Sequence, residues 1–368
     1  MTEVRRTLPR MSSAVALVLV TAWASVLSAA LMPAWGQAGQ SPAPGWDFRP
    51  VGRVSAAGPR VLLIYDMEGL AGIDRHEMTV CGADSAAYRT GQDRLVTDVN
   101  AVIDGLVVGG AKEIGVIDRH GGCESPARDL PTDRLDRRAH FVDETKASAL
   151  AQPWDAVALV GMHAGPGSGG FLEHIGSFGI ERILNGLSVT ESEQFALRLG
   201  ERGIPIVFAS GDDRLGHHLA SRMPWVVYVE VKSATSLTTA SLRPAAETEA
   251  ALRARAQAAL RNRSGMKALA LVAPFSGGFR AVYPETLDPL AILPGLDVHV
   301  RNGIIPVTGT SAQELNQAIS RVQSVVASFW WSEAFWEAAK TRPDIVRQAD
   351  SLFMVRWRAG PPAAKPPR

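Results

Sequence analysis

The chain has 368 residues, 46% of them hydrophobic and 20% charged, enough to bury the core of one large domain or two ordinary ones. A net charge of +1, without a basic stripe interleaved with aromatics, excludes nucleic acid as an expected partner. Two cysteines, Cys81 and Cys123, are too few for a disulfide framework and lack zinc-finger spacing, leaving free thiols or a single bridge.

The first element in chain order is an export signal. Arg5, Arg6 and Arg10 precede the apolar run "SSAVALVLVTAWASVLSAAL", and small residues follow at Ala34, Gly36 and Ala38. Positive flank, apolar stretch and small-residue exit read as a secretory signal peptide over 1–38, with an uncleaved anchor as the rival. "RRTLPR" hints at a twin-arginine route. The mature protein is thus expected in the periplasm or outside the cell, with no membrane contact once the signal is removed. Residues 39–59, rich in Pro, Gly, Ser and Ala, read as a linker.

From 60 to 243 the pattern is that of a metal-binding α/β domain. "RVLLIYD" is a buried strand. A helix through Leu95, Val99, Val102, Ile103 and Leu106 follows, ended by Gly109 and Gly110, and "EIGVID" is the next strand. This β–α–β unit implies a mainly parallel sheet flanked by helices. "AVALVG" adds a third strand, "GPGSGG" a loop, Asn185-Gly186 a hairpin turn, and Thr190 with Glu193 a capping box for a helix to about 199. "IPIVFAS" is another strand. Residues 244–329 read as a second, smaller α/β domain, 330–358 as a C-terminal helical extension bearing Trp330, Trp331 and Trp336, and 359–368 as a disordered tail.

Three strands end in the same kind of side chain: Asp66 and Glu68 after the first, Asp118 and His120 after the second, His163 after "AVALVG". Ligands of open parallel sheets bind just outside the carboxyl ends of the strands, so these groups converge on one crevice. Asp66 and Glu68, two apart, point the same way and repel unless a cation lies between them. Carboxylate oxygen with imidazole nitrogen is a zinc-type donor set, and Glu191, opening the post-hairpin helix, is a further candidate. Asp118 is expected to orient His120 or its turn. Asp212 and Asp213 fit a helix N-terminus, His217 and His218 a solvent-facing helix, and His299 an outward position on a strand.

"YDMEGLAGI", "IDRHGG", "LVGMHA", "EHIGSFGIERILNGLSVTE" and "GIPIVFASGDDR", in that order, resemble the DppA-type D-aminopeptidases, a family of zinc metallopeptidases, over about 60 to 329. The resemblance implies two zinc ions per subunit: Asp66 bridges both, Glu68 and His120 complete one site, His163 and Glu191 the other. His174, eleven residues beyond His163, matches the family's proposed catalytic histidine. Also implied are a ring-shaped homo-oligomer and release of N-terminal D-residues, such as D-Ala, from short peptides through a metal-activated water. His174 is expected to transfer protons or steady the tetrahedral intermediate rather than attack. The chain departs from the family pattern at Arg119 (commonly Ser), Gly165 (commonly basic) and Glu173 (commonly Ser). A two-metal phosphoesterase and a non-catalytic periplasmic peptide- or metal-binding protein are the alternatives.

Overall fold

A computed structural model of the protein describes residues 41–54, 57–81, 85–121, 128–142, 152–176, 179–281 and 304–358. The expected signal 1–38, Cys123, His299 and the tail 359–368 lie outside the described residues. Among the described residues, no helix is long and apolar enough to cross a membrane.

The expected β–α–β unit is present. Strand β2 (Arg60–Tyr65) leads through α1 (Ser85–Val108) to β3 (Glu113–Asp118), and the two strands pair in parallel from Arg60 with Glu113 to Tyr65 with Asp118. Strands β4 (His140–Phe141), β5 (Ala156–Met162), β8 (Ile206–Asp212), β9 (Val227–Ala234) and β10 (Ala240–Leu242) complete a seven-stranded sheet of order β10-β9-β8-β5-β2-β3-β4. Its neighbours are parallel except at β9–β10.

The central strands are apolar throughout because both faces of the sheet are covered. Leu62, Ile64, Val157 and Leu159 enter one core with Phe195, Leu197 and Leu199 of α2 (Glu191–Gly200) and with Leu215 and Leu219 of α3 (Asp213–Arg222). Val61, Leu63, Tyr65, Ala158 and Val160 enter the other. There Leu95, Val99, Val102 and Leu106 of α1 meet Leu252, Ala256 and Leu260 of α4 (Ala245–Arg261). Fully buried Leu or Val side chains contribute about 1.5–3 kcal/mol each, so this seam anchors α1 behind the strand ends.

Strand pairings and a helix run across three of the expected boundaries. Residues 39–59 are not only a linker, since β1 (Trp46–Arg49) pairs antiparallel with β11 (Ala268–Leu271). The sheets do not divide at residue 243 either. α4 packs on the main sheet, while β12 (Ser276–Ala281) lies between β13 (Ile304–Thr308) and β6 (Ile180–Leu184) of the β6–β7 hairpin, β7 being Leu187–Ser188. Asn185 fastens this join, donating from Nδ2 to the carbonyls of Gly45 (2.8 Å) and Val272 (2.7 Å) and accepting from the Ser276 amide (2.9 Å). Composition marks where an amphipathic pattern changes but not which distant strand completes a sheet. At the C-terminus, α5 (Ala312–Thr341) runs unbroken through the expected boundary at 329/330 and is followed by α6 (Pro343–Arg358).

Candidate metal centre

Parallel strands that end together place their following residues side by side. Past β2, the Asp66 amide still pairs with the Val160 carbonyl (2.9 Å) and the Gly69 amide with that of Gly161 (2.8 Å), so "DMEG" lies against the end of β5. A Cβ on Gly69 would stand 1.9 Å from the Met162 carbonyl oxygen, so only glycine permits this approach. Asp66 and Glu68 are thereby held at 3% and 5% exposure, and His163, at 1%, follows β5 directly.

The donors form a continuous row. His120 Nε2 lies 3.5 Å from Glu68 Oε1. His163 Nε2 lies 3.5 Å from Asp66 Oδ2 and 3.9 Å from Glu191 Oε1. Donor atoms of Asp66, Glu68 and His163 all lie within 4.8 Å of one another, as do those of His163, His174 and Glu191. The His174 ring stacks on His163, with centroids 3.9 Å apart and planes 11° off parallel. The structure therefore brings together Asp66, Glu68, His120, His163, Glu191 and His174. The capping box of Thr190 and Glu193 sets the start of α2, and hence Glu191, which accepts from the Gly176 amide at 2.7 Å.

Buried polar atoms are normally satisfied, yet Glu68 Oε2 and His163 Nε2 make no hydrogen bond within the described chain. Buried carboxylate and imidazole donors aimed at one another fit a divalent cation. The charges are strongly coupled. Burial opposes ionising His163, but Asp66, Glu191 and Glu68 outweigh it and raise its pKa to about 10. Burial likewise opposes charge on His120, which Glu68, Asp129 and Asp66 push up to about 10. Burial and then the Glu68 charge raise the Asp66 carboxyl; the Glu68 carboxyl falls because His120 and Asp66 overcome its burial. Burial, reinforced by His163, pushes His174 down to about 4.

The family model described as D-aminopeptidase matches residues 60–320. The chain belongs to the D-aminopeptidase family. Among solved structures it is similar to the Zn-dependent D-aminopeptidase DppA from Bacillus subtilis, a self-compartmentalizing protease. That likeness has a TM-score of 0.63 at 20% identity and covers 73% of this chain and 98% of the other. It establishes a shared fold. No curated protein sequence matches the chain.

In this D-aminopeptidase-family chain, Asp118 takes the supporting position expected of it. Its Oδ1 accepts from the amides of His120 (3.0 Å) and Gly121 (2.9 Å), and its Oδ2 from the Tyr65 hydroxyl and the Asp129 amide (2.7 Å each). Asp212 caps α3 through the Leu215 amide (2.9 Å) and also takes the Phe171 amide (2.8 Å), tying in the glycine loop. His217 is exposed as expected, whereas His218 turns back to Glu193, 2.8 Å away. Cys81 is disulfide-bonded, which decides between the two cysteine readings.

Two residues of the site are not visible in the sequence pattern. Fully buried Asp129 holds His120 Nδ1 at 2.8 Å, turning Nε2 toward Glu68. A ligating histidine ordinarily has such a partner, but nothing in "ARDL" identifies it. Fully buried Lys232 donates to the carbonyls of Glu68 and Ile73 (2.8 Å to the latter) and lies 4.4 Å from the Phe171 ring centre. In "VEVKS" alternation places Lys232 outward, but the ladder with β8 is irregular at Gly211/Asp212, and Val231 and Lys232 are both buried.

Proposed function

We propose that the mature protein is an exported two-zinc aminopeptidase releasing N-terminal D-amino acids from short peptides. What supports it is the convergence of Asp66, Glu68, His120 and His163 at the carboxyl ends of three parallel strands with Glu191 at the start of α2, where Glu68 Oε2 and His163 Nε2 have no hydrogen-bond partner in the described chain. Asp66, between Glu68 and His163, is the residue to be shared by two ions. Glu68 and His120 would hold one, His163 and Glu191 the other. Zinc, when bound, supplies Lewis acidity that lowers the pKa of water and polarises a carbonyl.

The chain's own groups account for the rest. Asp129 fixes the tautomer of His120, leaving Nε2 as the donor. His174 commits Nδ1 to the Leu172 carbonyl (2.8 Å), so Nε2 is the nitrogen able to accept a proton and return it to the leaving amine. The fall of its pKa keeps that nitrogen unprotonated at neutral pH. Export is carried by residues 1–38, and assembly into a homo-oligomeric ring by analogy with the self-compartmentalizing relative.

Elemental analysis of the purified mature protein, combined with matched D- and L-aminoacyl peptides, tests this. About two zinc ions per chain and release of D-Ala are expected. Protein without bound metal, or cleavage of p-nitrophenyl phosphate in place of peptides, overturns it.

A further inference from the structure

A second cluster of like charges adjoins the carboxylate row, and it is positive. Between α2 and α5 lies a cavity of about 330 Å³ lined by Arg119, Arg182, Glu191, Gln194, Phe195 and Gln323, among others. Glu191 belongs to both the metal row and this wall, so the cavity is continuous with the candidate site. Its volume suits a small peptide rather than a single ion.

Arg182 is the telling residue. It lies on β6 at 4% exposure, and its guanidinium donates only to the neutral amide oxygen of Gln194; Nε has no hydrogen-bond partner. No described carboxylate comes within ion-pair distance of it, although buried arginines are rarely left without an anion. Glu191 is the acid whose charge it feels, and that carboxylate is engaged by Gly176 and directed at His163. Arg119, which packs its guanidinium 5.6 Å from the Phe195 ring centre, lines the same cavity and adds a second positive charge that Arg182 feels as repulsion. A buried guanidinium without an ion-pair partner on the wall of a cavity calls for an anion, and a planar carboxylate matches its fork geometry, with Arg119 adding positive charge at the rim.

We propose that this cavity is a carboxylate-recognition subsite, in which Arg119 and Arg182 hold a carboxylate of the peptide while its amino end lies at the row of Asp66, Glu68 and His163. The proposal rests on the aminopeptidase reading for the direction in which the peptide lies. The carboxylate is supplied by the C-terminus of a di- or tripeptide or by an acidic side chain. In the first case the subsite limits substrate length; in the second it selects acidic peptides.

Calorimetric binding to the purified, zinc-loaded full chain tests the cavity without relying on turnover. The probes are N-acetyl-glycylglycine, its C-terminal amide, and N-acetyl-glycyl-glutamic acid α-amide, in which only the side-chain carboxylate is free. A free carboxylate is expected to bind at least tenfold tighter than the amide, and whichever acid does so identifies its source. Arg119→Gln, at the rim of the cavity, is expected to bring acid and amide within about twofold of each other. Equal binding of acids and amide by the unmodified chain overturns the subsite. So does a preference that survives the folded double variant Arg119→Gln/Arg182→Gln, because the carboxylate is then landing on the metal. Hydrolysis of D-Ala-Gly-Gly and its amide is run in parallel. If neither is cleaved while the carboxylate preference stands, the aminopeptidase reading fails and the subsite does not.

Discussion

Asp129→Asn separates the orientation of His120 from its mere presence. Asp129 is fully buried; Oδ2 meets His120 Nδ1 at 2.8 Å, Oδ1 takes the Tyr88 hydroxyl, and the backbone amide is held by Asp118. Asparagine keeps the shape but has one acceptor oxygen where two are needed, so either Tyr88 or His120 faces an NH2 group. A hydrogen bond to a charged group is worth about 1.5–3 kcal/mol against about 1 for a neutral one. The loss at His120 is therefore about 1–2 kcal/mol, on the order of tenfold in affinity for the ion that His120 helps to hold, within the range seen for partners of ligating histidines. Competition of the zinc-loaded protein against a chromogenic chelator should show one weakened site and one unchanged, with melting temperature and circular dichroism reporting on the fold. Unaltered affinity at both sites in a folded variant would refute the argument that Asp129 aims His120 at the metal.

Asp66→Ala should abolish binding of both zinc ions whereas His120→Ala weakens mainly one; full metal content in the Asp66 variant, by elemental analysis, removes the bridging role. His174→Ala should retain both ions and lose 10²–10⁴-fold in kcat, the span of a general acid–base group; undiminished turnover takes His174 out of the mechanism, and loss of one ion makes it a ligand. Burial raises the Asp98 carboxyl to about 7, against the Ala71 amide it accepts and the charges of Lys232 and Arg94. The folded chain thus holds this proton to higher pH than the unfolded chain does, so the contribution of Asp98 to stability falls as pH rises from about 4 to about 7 and is flat above. Thermal melts of Asp98→Asn, which preserves the acceptor for Ala71, should lose that part of the slope; a pH profile identical to the parent's shows the group to be ionised throughout.

The site was legible in the sequence to the extent that local pattern determines it. β2, β3 and β5 are short apolar runs of a doubly covered sheet, and a parallel sheet brings the residues after such strands together whatever their separation in the chain. That is why Asp66, Glu68, His120 and His163 could be grouped without coordinates, and why Thr190 and Glu193 located Glu191. Asp129 and Lys232 escaped for a different reason. Asp129 follows a stretch without periodicity, and Lys232 occupies a position that alternation assigns to solvent. The first is buried among Tyr65, Tyr88, Asp118 and His120, which are distant in sequence or lie on other elements, and only the break in the β8–β9 ladder turns the second inward to the Glu68 carbonyl. The two smaller sheets, one pairing β1 with β11 and the other β6 with β12, depend on pairings more than 90 residues apart in sequence, as the Asn185–Ser276 contact illustrates, and no local signal encodes those.

The three departures from the family pattern divide once the side chains are placed. Glu173 is turned into its own loop, accepting from the amides of Gly167 (2.7 Å) and Gly170 (2.9 Å) and from the Ser168 hydroxyl (2.7 Å). It closes the glycine segment ahead of His174, a role a serine side chain is too short to fill with three bonds at once. Gly165 lies so near the start of α2 that a Cβ there would come within 3.2 Å of Thr190 Cγ2; a longer residue would press on the cap that positions Glu191. Neither change reaches for a peptide: one replaces loop contacts, the other makes room beside a helix end. Arg119 alone puts new charge on the wall of the cavity beside the metal row. If the proposed subsite operates, replacing Arg119 should shift substrate preference while leaving undisturbed the row of donors at the strand ends that would hold zinc.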